Sequence, residues 1–189
     1  LIFCDRKWIE NSKNIRNKKY AYSKNKIFKI IQIKKLMERR FYNPLSSVGI
    51  FQLTGRLIKR SIIVNNKIYF EKRLRYLEDE AFEWDIIGNL KNAVYVKKQL
   101  YSYFLNNNTN TALSRGVSSG FSNKNFEIVT KHVENSLMKK SFSKKEIKRI
   151  GDQGYIFLII SSLISITRSI LLGKINSKKG IAQRNILIE

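Results

Sequence analysis

Apolar residues recur along this chain with two different periods. The opening run, LIFC, is continuous and ends at Asp5, the pattern of a buried strand. From Lys26 to Arg39, Ile27, Ile30, Ile31, Leu36 and Met37 return at three- and four-residue intervals, which predicts an amphipathic helix with a cationic outer face. Between them runs RKWIENSKNIRNKKYAYSKNK; no acid occurs between Glu10 and Glu38, and the stretch reads as a solvated loop or basic edge. YNPLSSVG holds the only proline, Pro44, and marks a loop. IFQLTGRLIKRSIIVNNKIYF, with turn residues at Asn65-Asn66, reads as strand, short helix, strand.

Phe82, Ile86 and Leu90 then follow at helical spacing, with Asp79 as N-cap and Gly88-Asn89 as the stop. AVYVKKQLYSYFL is β-branched and aromatic at both ends, enough for one or two strands. Residues 106–125 turn to Asn, Thr, Ser and Gly, a long loop. Two helices are expected beyond it, one over Phe126–Lys140 and one from Ser143. In the second, Gly154 to Thr167 carries no charge, but Arg168 ends the run short of the ~20 apolar residues a spanning helix needs. It reads as a buried core helix, with membrane-surface contact as the weaker alternative. The expected organisation is an α/β body over residues 1–122 and a helical extension over 123–189. No internal repeat is visible.

Composition narrows the partners. With 37 Lys and Arg against 14 Asp and Glu, the net charge of +23 points to a polyanion: nucleic acid, an anionic membrane surface or a phosphorylated substrate. Heavy use of Lys, Ile and Asn fits an A/T-rich genome, so part of that charge is discounted as coding bias. The single Cys4 excludes an internal disulfide and a cysteine-built zinc site, and a reducing cytoplasm is the easier fit. The lone His132 excludes a histidine-rich metal site and is expected at the surface of a helix. No secretory signal opens the chain, which starts inside an apolar run and reads as cut.

One segment runs against the basic background. Five of the fourteen acids, Glu78, Asp79, Glu80, Glu83 and Asp85, fall within eight residues. Acids at a helix N-terminus complement the macrodipole, each worth ~0.3–1 kcal/mol, yet that need does not call for five. A metal site needs oxygen ligands converging from several segments, which one contiguous cluster rarely supplies. A third reading makes one carboxylate a general base toward a hydroxyl, with Glu80, Glu83 and Asp85 as a solvated face.

The run from Gly55 to Thr111 resembles the C-terminal half of the catalytic domain of family 2 glycosyltransferases, especially those that build bacterial capsule, exopolysaccharide or lipopolysaccharide. GRLIKRS, IYF, LED, AVYV and LYSY stand in the order and spacing of that family's segments. Thr54 replaces the family's usual tryptophan, Arg56 its lysine, and YFLNNN the usual Tyr-Arg-His, so no metal ligand is carried over to Asn106 or Asn107. LIFCDRKWIE is similar to a late strand of the nucleotide-binding half, and no Asp-x-Asp stands in the metal-binding role.

The resemblance implies a partial GT-A fold, a mixed sheet with flanking helices, and an inverting transfer from a nucleotide-sugar donor to a glycan or lipid-linked acceptor. It implies Asp79 as the catalytic base, Glu78 as the residue orienting acceptor or base, and Arg56 and Tyr76 as acceptor contacts. A divalent cation, Mg or Mn, is expected in the intact enzyme with ligands outside this chain. The implied location is the cytoplasm, with a peripheral contact to the inner face of the cell membrane as a further expectation, and no specific nucleic acid as partner. GVSSG, Gly116 to Gly120, offers a phosphate cradle against the plainer reading of a linker. The rival class is a noncatalytic module, binding nucleic acid through cations interleaved with aromatics or serving as a membrane-surface adaptor.

Overall fold

The computed structural model describes residues 1–10, 13–14, 21–41, 49–51, 53–74, 76–105 and 122–171. Most of the loops around Pro44 and after Asn106, with the GVSSG turn, lie outside them.

Strand β1 (Ile2–Glu10) begins where the apolar run predicts but continues five residues past Asp5. It does so because it lies parallel to β5 (Asn92–Leu105), and the tyrosine-rich second half of β5 pairs with it from Arg6↔Tyr101 to Glu10↔Leu105. The register shifts on both sides of Asp5, a bulge that bends the pair. AVYVKKQLYSYFL is therefore one long strand. β3 (Lys26–Lys29) pairs antiparallel with the other edge of β5, from Lys26↔Tyr95 to Lys29↔Asn92. β2 (Lys13–Asn14) and β4 (Arg56–Leu57) pair antiparallel with the two ends of β1. The five strands form one mixed sheet of order β2-β1-β5-β3, with β4 beside β1. The class is α/β, and the opening strand meets both GRLIKR and LYSY.

Helix α1 (Ile30–Arg39) starts later than its periodicity predicts, since Lys26–Lys29 is taken by the sheet edge. It also turns a different face inward: Ile33, Met37 and, beyond its end, Phe41 are buried, whereas Ile27, Ile30 and Ile31 stay exposed. The chain offered more apolar residues than one face can use, and the row at steps of four won. After the short α2 (Arg60–Asn65), residues 68–70 form no strand, although Ile68 is buried.

Helix α3 (Glu78–Gly88) buries seven of its eleven residues, including Trp84, Ile86 and Ile87, and so is a core helix with little room for a solvated face. Helix α4 (Asn123–Lys139) packs directly on it. A Cβ added to Gly88 would stand 2.8 Å from Ser136 Cβ, so glycine sets the approach of the two helices. Ser136 Oγ donates to the Trp84 carbonyl at 2.7 Å across that contact. Ser143 and Glu146 exchange backbone and side-chain hydrogen bonds as a capping box, turning the chain into α5 (Lys144–Leu171). One continuous core joins the sheet residues Phe3, Phe28 and Tyr95 to Trp84, Phe126, Leu137 and Leu158.

Candidate active site

The acid cluster runs through the first two turns of α3, and of its five carboxylates only that of Asp79 belongs to an exposed residue. Leu77 holds the cap position with φ 67°, a left-handed conformation that costs a non-glycine residue about 1–2 kcal/mol. The Leu77 carbonyl accepts the Ala81 N–H at 3.1 Å, and its side chain provides no cap. Asp79 is thus not the N-cap; it is the second residue of the helix, and its Oδ1 accepts the Glu80 N–H at 2.9 Å. The strained turn at Leu77 fixes where the following carboxylates stand.

Three of the five acids are spoken for. Glu80 accepts from Arg40 Nη2 at 2.8 Å and from Trp84 Nε1 at 3.1 Å. Glu83 lies 3.2 Å from Arg56 Nη2, and Asp85 meets His132 Nδ1 at 2.9 Å. The expected solvated face of Glu80, Glu83 and Asp85 is therefore corrected: burial of so much of α3 turns these carboxylates toward basic side chains of other elements. His132 is likewise not a plain surface residue. It stands half-buried between Asp85 and Glu71, whose Oε2 is 3.8 Å from Nε2.

Arg56, expected at an acceptor, is directed inward, with its Nε and Nη1 lacking a hydrogen-bond partner. Arg40, which the sequence reading did not single out, closes the cluster from the end of α1. The signal for such partners was the excess of acids over what a helix start can use. Among the described residues, no ion pair reaches Glu78 or Asp79.

Electrostatics separates the acids further. Burial pushes the Asp79 carboxyl above the usual range; the Glu80 N–H opposes this, and the charges of Glu78 and Glu80 add to it. Its residue surface is nevertheless open to water, which limits the rise, so protein surrounds this group without sealing it. Tyr76 packs beside it, partly buried, and its phenol is pushed up to about 12, chiefly by burial and then by the charges of Asp79, Glu78 and Glu80.

Glu83 is raised well above the carboxylate range by burial against the attraction of Arg56, while burial lowers Arg56. A guanidinium starts so far above neutrality that Arg56 keeps its charge, and Glu83 is the partner that protonates first.

Among the described residues, no three His, Cys, Asp or Glu side chains converge as a metal ion requires. With Glu80, Glu83 and Asp85 committed to Arg40, Arg56 and His132, the donor set left at the start of α3 among the described residues does not fit one. Two clefts, of about 590 Å³ between α4 and α5 and about 440 Å³ beside His132, are lined by neither Asp79 nor Tyr76.

The start of α3 thus combines a solvent-reaching carboxylate that no ion pair among the described residues engages, an adjacent phenol and a buried foundation of ion pairs, a set suited to accepting a proton. Compared with known proteins, the chain matches no family model, no curated protein and no solved structure.

Proposed function

We propose that this chain is the acceptor side of an inverting GT-A glycosyltransferase that extends a cell-surface glycan or lipid-linked acceptor, with Asp79 as general base. The observation that carries this reading is the division of labour in the acid cluster. Glu80 and Glu83 are paired with arginines and Asp85 with His132, whereas no ion pair among the described residues reaches Asp79, which stands one helical turn above Glu83 and is open to solvent.

In this reading the acceptor hydroxyl lies against the Asp79 carboxylate. As its oxygen attacks the anomeric carbon, the proton passes to Asp79 and the bond to the nucleoside diphosphate breaks on the opposite face. A positioned base of this kind contributes ~10²–10⁴-fold. A carboxylate raised by partial burial is a stronger base than a fully solvated one. Glu78 orients the acceptor, and Tyr76 offers a ring face for a sugar to stack on. Arg56 serves the reaction only by anchoring α3 through Glu83. Recognition of the donor nucleotide falls to residues outside these 189, in the cytoplasm where nucleotide sugars are available, and no step runs through a metal bound by this chain.

The test is to express the chain within its complete reading frame, supply a panel of nucleotide sugars with a lipid-linked acceptor fraction, and determine the anomeric configuration of any product by NMR. Inverted linkage is expected. Retention of configuration would overturn the reading, as would oligonucleotide binding that is sequence-selective at physiological salt in the absence of any transfer.

A further inference from the structure

Helix α5 is apolar along two opposite stripes. The first is buried: Ile150, Gly154, Leu158, Ser162 and Ile166 follow at steps of four, and a Cβ added at Gly154 would stand 2.8 Å from the Phe41 ring. The second is open. Ile156, Ile160, Ile164 and Leu171 are 55, 50, 64 and 80 % exposed, so this helix is not the fully buried core helix its composition predicts. Lys145 and Arg149, both exposed, head the same stripe, since positions 145, 149, 156, 160 and 164 are separated by steps of four or seven; the acid that falls among them, Asp152, is neutralised by Lys148 at 3.5 Å.

A row of exposed isoleucines on a helix otherwise rich in apolar residues marks a surface that is covered in use. Within Lys144–Thr167 an 18-residue window has a mean hydropathy of 1.4, with only 33 % of it buried. Spanning a bilayer would require α5 to leave Phe41 and the core, which its buried stripe opposes.

A second copy of the chain would bring its own charge of +23 against the first. An anionic lipid surface meets neither objection. Its headgroups answer Lys145 and Arg149, and its acyl boundary receives the isoleucines. The sequence beyond the helix, residues 172–189, adds Lys174, Lys178, Lys179 and Arg184 against a single acid, Glu189.

We propose that α5 docks this chain flat on an anionic membrane, with the Ile156–Ile160–Ile164 stripe set into the headgroup–acyl boundary and Lys145 and Arg149 on lipid phosphates. Nothing about this face depends on the reaction Asp79 serves.

The experiment is sedimentation of the chain with phosphatidylglycerol vesicles and with pure phosphatidylcholine vesicles. Binding is expected to the former and to be much weaker with the latter. Ile156→Ser/Ile160→Ser/Ile164→Ser should weaken binding about tenfold or more, with Ile160→Ser alone showing a smaller loss and an unchanged melting temperature. Lys145→Gln/Arg149→Gln should weaken it several-fold and reduce its salt dependence. Three outcomes overturn the proposal: no binding to phosphatidylglycerol, binding equally strong in the triple serine variant, or a dimer in light scattering that the triple variant abolishes.

Discussion

Arg56 and Glu83 form an ion pair 3.2 Å apart whose side chains are only 1 % and 4 % exposed. Arg56 belongs to β4, which pairs through Phe3↔Arg56 with β1, and Glu83 lies one turn below Asp79 on α3. The pair therefore ties the sheet to the helix that presents the proposed base. Taking two charges out of water is costly, and their attraction repays it only while both are present.

Glu83→Gln should accordingly destabilise the fold by about 3–5 kcal/mol, because it strands the Arg56 charge in the core. Replacing both partners, Arg56→Met with Glu83→Leu, should recover much of that loss. Urea unfolding of Glu83→Gln and of the double variant checks this; a double variant no more stable than Glu83→Gln would mean that the pair is not a closed unit.

Gly88→Ala tests the approach of α3 and α4. Helix propensity alone favours alanine by up to ~1 kcal/mol. The new methyl would press on Ser136, with its Cβ and Oγ both at 2.8 Å and backbone Cα at 2.9 Å, where overpacking costs about 1–3 kcal/mol. A net fall in melting temperature is expected, and a rise would place α4 farther from α3 than described.

His132 gives the stability a pH dependence. Its hydrogen bond to Asp85 raises it above the ordinary value of about 6.5, partly offset by burial, with Glu71 adding to the rise and Lys67 and Lys139 lining the same cleft. A histidine raised on folding contributes stability fully below that ordinary value and loses it as the pH climbs through the folded value. Melting temperature should therefore decline above about pH 6.5, by the equivalent of about 1 kcal/mol or less for a group that water still reaches. His132→Gln should flatten this decline; an unchanged slope would exclude the His132–Asp85 contact as its source.

The fold was legible where local pattern and tertiary use coincide. The strand at LIFC, the helix ending at Gly88-Asn89 and the two late helices follow from runs and periods that the folded chain uses unchanged. Lys26–Lys29 misled because a strand edge and a helix start share one apolar period there, and which isoleucines turn inward depends on a core the sequence does not display. The acid cluster was visible as an anomaly, but not its internal division. Arg40, Arg56 and His132 come from segments 40, 27 and 47 residues away from their partners, and no spacing rule links them. Glu80→Gln and Glu83→Gln look like neutral charge controls in the sequence and are structural lesions in the fold.

Transfer by Asp79→Asn, measured beside its thermal unfolding, tests the central claim most directly. The residue is exposed, makes no ion pair among the described residues and is not the helix cap, so asparagine should alter stability by no more than about 0.5 kcal/mol. Asparagine keeps the shape but cannot take the acceptor's proton, so the rate of sugar transfer should fall by about 10²–10⁴-fold. In the unmodified protein the rate should rise with pH through the raised Asp79 value, since only the carboxylate is a base. Near-normal transfer by the folded Asp79→Asn protein would contradict the account.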